Sequence, residues 1–311
     1  MPILSLKTGT KSRSLLVGNA AFIPSARALI MGGFVSTTST LVNVVEYVDI
    51  NTTGNGTDFG DLSATRYSGG GCGSSTRAIV GGGNNASFAA VNIMEYFTIA
   101  STGNATDFGD LTGSRQGPGA ASNETRGLYA GGTSASTAID YITIATTGNG
   151  TSFGTLTVGR QNLSGCGSPT RALFGSGQVA DSSNTNTIDY VTIATTGNAT
   201  DFGDLTAARN TISSCSSSTR GVWGGGSAGN ILDYVTIATT GNATDFGDLT
   251  VNQNAPSATS SPTRGIFSGG DGNTNVIGYI TIATTGNATD FGDLTQARGW
   301  TAASSAAHGG L

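Results

Sequence analysis

Thr192-Ile193-Ala194-Thr195-Thr196-Gly197-Asn198-Ala199-Thr200-Asp201-Phe202-Gly203-Asp204-Leu205-Thr206 recurs unchanged at 236–250 and 281–295, and in near copies at 49–63, 98–112 and 143–157. The phenylalanines fall at Phe59, Phe108, Phe153, Phe202, Phe246 and Phe291, in steps of 49, 45, 49, 44 and 45 residues. A period of that length holds four short strands with their turns. Ile188-Asp189-Tyr190-Val191-Thr192-Ile193, just before, alternates and is rich in β-branched and aromatic side chains, so it reads as a strand. Thr195-Thr196-Gly197-Asn198 is turn chemistry, since Gly and Asn tolerate positive φ. Asp201–Leu205 is the returning strand.

Other spacings are equally regular. A tyrosine stands twelve residues before each Phe: Tyr47, Tyr96, Tyr141, Tyr190, Tyr234 and Tyr279. Seven residues after the Phe comes Arg66, Arg115, Arg160, Arg209 or Arg298, with Gln253 in the fifth unit. Eleven residues further lies a second arginine, at Arg77, Arg126, Arg171, Arg220 and Arg264, a series that Arg27 joins at its start. A glycine pair or near-pair follows each second arginine, from Gly32-Gly33 to Gly269-Gly270. Six such units predict an all-β fold, a single six-bladed β-propeller with four-stranded blades.

The stretch after each first arginine is the expected innermost strand. Six residues past it stand Cys72, Ala121, Cys166, Cys215 and Ser304, all small, as a crowded centre requires. The three cysteines therefore read as structural, and an odd count does not form a disulfide framework. A ring must join its last blade to its first or leave an open edge. Thirteen residues follow Arg298, so Gly299–His308 has the length of one inner strand, and the tail 299–311 is the predicted closing strand of the first blade. The rival, Leu16–Ala26, puts Phe22 at the small position and contains Pro24, both poor in a crowded inner strand. Residues 1–20 are then an N-terminal arm and 21–311 the propeller, with repeats ending near 66, 115, 160, 209, 253 and 298.

At 311 residues the chain could hold two domains, but the repeat argues for one. Charged residues are only 11%, Lys7 and Lys11 are the only lysines, and the net charge is −5. That balance argues against nucleic acid, which needs clustered cations. The opening MPILSLKTGTKSRSLLVG holds no apolar core long enough for a signal peptide, and no apolar run reaches a membrane span. A soluble chain not exported by that route, with no membrane insertion, is expected. The N-x-T triplets, such as Asn104-Ala105-Thr106, belong to the repeated turn.

Eleven of the twelve arginines belong to the two series, and most aspartates flank the Phe, as Asp107 and Asp110 do, or precede the Tyr, as Asp189 does. Charges repeated six-fold are expected to pair or to bond turns within the frame. His308 is the only histidine, so neither a Ser-His-Asp triad nor a histidine metal site is expected. Asn104, Asp107 and Asp110 offer oxygen ligands but lack the spacing of an EF-hand loop, and read as an Asx turn. Gly69-Gly70-Gly71 opens no helix, so phosphate binding is unsupported. No catalytic residue, metal or cofactor is predicted. All length variation falls between the second and third strands: the Tyr follows the second arginine by 20, 19, 15, 19, 14 and 15 residues. Variable loops on one face of a repeat scaffold are where binding is expected. The candidates are Thr37, Thr38, Asn84, Asn85, Asp181, Asn184, Asp271 and Asn273, polar positions suited to a sugar or a protein.

Gly81-Gly82, Tyr96, Phe108 and Arg115, in that order and spacing, resemble a kelch repeat, with Phe where kelch units usually carry Trp. The resemblance covers roughly residues 20–311. The wording TIATTGNATDFGDLT also resembles repeat proteins of marine tailed phages, especially cyanophages. That likeness implies a non-enzymatic virion protein: a capsid decoration, tail part or fibre, assembled in the host cytoplasm. It would contact other capsid or tail proteins and could adhere to a host-surface glycan or protein. The alternatives are an intracellular kelch-like adaptor for one protein, and a carbohydrate-binding propeller. A kelch-like oxidase is the weakest reading, because its Tyr, His and Cys copper set is missing.

Overall fold

A computed structural model of the protein describes residues 26–311 apart from Ala228 and Asn273. The β-branched run before each turn and the pentapeptide after it pair as expected. In the fourth unit Thr187–Thr192 lies antiparallel to Thr200–Asp204, with a register slip between Ile188 and Asp189. The slip leaves Phe202 without a cross-strand partner, the extra residue of a bulge. The same slip recurs in the other five units. Each bulged Phe is buried between neighbouring sheets, edge-on to the repeat Tyr at 5.8 to 6.1 Å between centroids.

There are six four-stranded antiparallel sheets, and no helix among the described residues. In the second blade the order from the axis outward is Gly70–Gly73, Arg77–Gly81, Ile93–Thr98 and Thr106–Asp110. The first blade is built from both ends of the chain. Its inner strand is Ala302–Ser305, paired with Arg27–Val35 from Ala28↔Ser305 to Met31↔Ala302. The C-terminal strand thus closes the six-bladed propeller, as the spacing from Arg298 requires. The N-terminal arm 1–20 lies outside the described residues.

The near-verbatim repeat is explained by the seams between blades. The turn of one blade docks on the outer strand of the blade before it. Gly103 N–H and Ala105 N–H donate to the carbonyls of Phe59 and Asp61 at 2.8 Å each, and Asp61 N–H donates to Asn104 Oδ1 at 3.0 Å. The same three bonds occur at every seam, including the closing one, where Gly54, Gly56 and Asn55 meet Phe291 and Asp293. Outer edges that would otherwise template aggregation are therefore covered. The glycine after each Phe is required by this approach: a Cβ on Gly60 would lie 2.3 Å from the Gly103 carbonyl oxygen.

Charges complete the seams. Each second-series arginine stacks on its own blade's Tyr at 4.3 to 4.8 Å and donates at 2.7 to 2.9 Å to an Ile carbonyl of the next blade, Arg264 reaching Ile50 across the closure. The first-series arginines form buried ion pairs with the acid preceding the Tyr. Arg66 meets Glu95, and the pairs Arg115–Asp140, Arg160–Asp189, Arg209–Asp233 and Arg298–Glu46 span 2.6 to 3.1 Å. Burial lowers the pKa of Arg66, Arg160, Arg209 and Arg298, and the facing carboxylate opposes the shift. In the sixth blade both partners change together. Gln253 replaces the arginine and Gly278 the acid. Gln253 Nε2 keeps the backbone bonds, to Gly269 O at 2.8 Å and Val276 O at 3.2 Å.

The cysteines face these seams and not the axis, because successive side chains of a strand point to opposite sides. Cys72 Sγ lies 3.2 Å from Tyr129 Oη in the next blade. Burial pushes the thiols of Cys72 and Cys166 up to about 12 and that of Cys215 well up too, so all three are unreactive packing groups. Each meets a glycine of the next blade: a Cβ on Gly127, Gly221 or Gly265 would lie 2.7, 3.0 or 2.4 Å from the sulfur. Where the inner position is Ala121, Thr259 or Ser304, the facing residue is Ala172, Ala28 or Ala78. The cysteines face glycine and the smaller Ala121 and Ser304 face alanine, a size match that Thr259 against Ala28 does not follow.

Candidate functional site: the varied face and its axial mouth

The two faces of the ring differ in kind. One carries the short inner hairpin turns and the repeated Thr-Thr-Gly-Asn turns. Its axial opening is ringed by Gly73, Ser122, Gly167, Ser216, Ser260 and Ser305, and the serines bond the preceding blade, as Ser216 Oγ–H does to Gly167 O at 2.7 Å. The chain end folds over this opening. His308 Nε2 lies 3.0 Å from Gly73 O and 3.3 Å from Ser122 Oγ, while Gly310 N–H donates to Nδ1 at 3.2 Å. Gly309 packs on Ser216 and Gly310 on Ser122, flanking Gly167, where no side chain stands in the way.

The opposite face carries the loops of varying length and the connectors that enter each inner strand. At its axial mouth the residue two past each first-series position has a left-handed backbone. Ser68, Gly117, Asn162, Thr211, Ala255 and Trp300 all have φ between 51° and 59°. Their N–H groups donate in a closed circle, each to the carbonyl of the preceding member, at 2.7 to 3.0 Å. The backbone of this circle is six-fold and its side chains are not. They line a funnel of about 590 Å³ including its open mouth, with no charged side chain in its wall among the described residues.

Most of the rim is small and polar. The residue just past each first-series position is Tyr67, Gln116, Gln161, Asn210, Asn254 or Gly299. The residue facing it is Asn84, Thr133, Gln178, Ser227, Asp271 or Phe34. One sector breaks the pattern. Tyr67 lies 6.0 Å from Phe34, 6.1 Å from Phe88 and 6.3 Å from Trp300, ring centre to ring centre. Phe34, Tyr67 and Trp300 are half-buried, and Phe88 is 60% exposed. Every other aromatic among the described residues belongs to the Tyr and Phe repeats or is fully packed between blades. Phe88 also has φ +60°, a conformation a bulky side chain rarely adopts.

Of the residues expected to bind, Thr37 and Thr38 are exposed at the tip of the first blade's loop, where Thr38 and Thr40 hydroxyls lie 2.6 Å apart. Asn84 is buried, 2% exposed, and donates Nδ2–H to Tyr67 Oη at 2.9 Å. Asn85 shapes its own loop, its Oδ1 accepting from Ser87 and Ala89 N–H. Asp181 is exposed and accepts from Ser183, whose hydrogen bonds lower its pKa. Asn184 reaches Ser227 Oγ at 3.3 Å, and Asp271 accepts from the Ser36 hydroxyl. Asn273 lies outside the described residues. These positions occupy loops of four different blades, and two touch the aromatic sector: Asn84 through Tyr67 Oη, and Asn85, whose carbonyl accepts from Phe88 N–H at 2.8 Å. Phe34, Tyr67, Phe88 and Trp300 were not among the candidates, although each departs from its small or polar repeat equivalents. No protein-family model matches the chain, and no curated protein matches it.

Proposed function

We propose that the protein is a non-enzymatic binding module, a kelch-like propeller that serves as a virion component of a tailed phage. Capsid decoration, tail part and fibre all fit this reading, with adhesion to the host surface through the varied face. The observation that carries it is the division of labour between the two kinds of position. The repeated arginines and the acids before each Tyr are used up in seams and ion pairs, while the loops of varying length and the exposed aromatics gather on one face. Apart from His308 at the covered axial opening, the groups whose ionisation is displaced inside the ring are buried arginines, thiols and Tyr129, each displaced chiefly by burial. They sit in packed seams and not together in a cleft, which speaks for a binding surface. The phage setting rests on the wording of the repeat.

Quantitative mass spectrometry of gradient-purified particles tests the setting. The expected result is a fixed copy number per particle, with Fab fragments against the varied face blocking adsorption to host cells. Absence from particles, together with stable association with one cellular protein, would replace this reading by the intracellular adaptor.

A further inference from the structure

We infer that the aromatic sector of the axial mouth is a binding site for a neutral saccharide, whose apolar ring face stacks on Trp300 while its hydroxyls meet the polar rim. The inference rests on the varied face being the binding face and adds the class of ligand. Three independent features of the mouth point to it.

First, the aromatic groups come from chain segments far apart in sequence, at residues 34, 67, 88 and 300, and meet in one place on a ring whose other sectors are polar at those positions. Packing does not account for them. Phe88 is mostly exposed in a strained conformation, and the ring position of Trp300 is filled elsewhere by Gly, Ala, Ser, Thr or Asn. Strain and exposure together at a rim position are a mark of a contact surface.

Second, the rest of the funnel wall is polar: Ser68, Ser164, Thr211 and Ser214 line it beside Trp300. Hydroxyl groups both donate and accept, which matches a ligand rich in hydroxyls.

Third, the mouth disfavours other ligand classes. An extended peptide needs free backbone N–H groups, and those of the rim circle are all engaged by the neighbouring carbonyl. A nucleotide or acidic glycan needs cations, and among the described residues no charged side chain lines the funnel.

The test is a microarray of neutral, sialylated and sulfated glycans, probed with the full chain and followed by titration of the best neutral hit. Trp300→Gly is the central variant, because the left-handed backbone suits glycine and Gly117 already occupies that ring position. Tyr67→Gln copies Gln116 and Gln161, and circular dichroism and melting verify that both variants fold. The expected result is retention on neutral glycans, about tenfold or more weaker in each variant, with quenching of indole fluorescence that vanishes in Trp300→Gly. Trp223, fully buried between blades, remains as the internal reference. Absence of glycan binding by the wild type overturns the inference, and so does binding that Trp300→Gly leaves unchanged. If cell adsorption nonetheless depends on Trp300 while no glycan binds, the saccharide is refuted and the binding face stands. If adsorption is also indifferent to Trp300, both fall.

Discussion

Replacing Asp233 with glycine strands the Arg209 guanidinium in a seam where both side chains have 0% exposure. The pair spans 2.6 Å, and Arg209 also donates to Ile231 O at 2.9 Å. Asp233 in turn accepts from the Thr206 hydroxyl. Removing one member of a buried pair costs about 3–5 kcal/mol, and glycine within a strand adds roughly 0.5–1 kcal/mol. The double variant Asp233→Gly with Arg209→Gln reproduces what the sixth blade already uses, Gly278 with Gln253. There the amide keeps both carbonyl bonds without a charge to desolvate. The double variant should therefore be more stable than Asp233→Gly alone, with a coupling energy of about 2–3 kcal/mol. Urea unfolding of the wild type, both single variants and the double measures it through the midpoints, at unchanged slope. The coupling should persist in high salt, since a fully enclosed pair is poorly screened. Additive single effects, with coupling below about 0.5 kcal/mol, would refute the claim that the pair acts as a unit.

Two further outcomes follow from other parts of the ring. Gly265→Ala places a Cβ 2.4 Å from Cys215 Sγ and should cost about 1–3 kcal/mol. Adding Cys215→Ala, which copies Ala121 facing Ala172, should recover most of that loss in the same unfolding assay; no recovery would contradict size matching at the seam. At the other opening, burial lowers the His308 pKa despite the Gly73 carbonyl, so the docked tail holds the imidazole neutral. Among the described residues, Glu124 is the one charged group near enough to oppose that shift. The freed imidazole titrates at about 6.5 and takes up a proton the docked one refuses, so docking is strongest above that pH and weakens as pH falls below it. Carboxypeptidase release of Leu311 should accelerate below about pH 6 in the wild type and stay flat in His308→Gln; equal acceleration in both would remove His308 from the explanation.

The architecture was legible because each blade repeats its demands. The distance from Arg66 to Arg77, applied at Arg298, locates the closing strand with no structural input. Which acid each arginine meets was not legible. The acid before Tyr and the aspartate before Phe stand opposite each other on paired strands, as Glu95 does to Asp107, yet the first is buried and Asp107 and its equivalents are exposed. The cysteines were correctly read as packing groups, but their neighbour is the next blade and not the axis, a difference of one step in the pleat. The candidate site was the hardest part. Loop length and polarity drew attention to positions such as Asp181 and Asn184. Tyr67 and Trp300, each beside a repeated arginine, were hidden inside the regular stretch. Their meaning emerges only when closure carries residue 300 round to residues 34 and 67. Aligning the six units and asking where an aromatic replaces a small or polar residue finds all four.

Closure of the first blade by the C-terminal strand both completes the ring and assembles the aromatic sector, so the account stands on it. Hydrogen–deuterium exchange of the amides in 302–306 measures it directly. The account predicts protection equal to that of inner strand Ser213–Ser216, lost only with global unfolding, because 302–305 pair with Ala28–Met31 and Ala306 N–H donates to Arg27 O at 3.1 Å. Exchange at the rate of an undocked tail, with Ser213–Ser216 still protected, would contradict it.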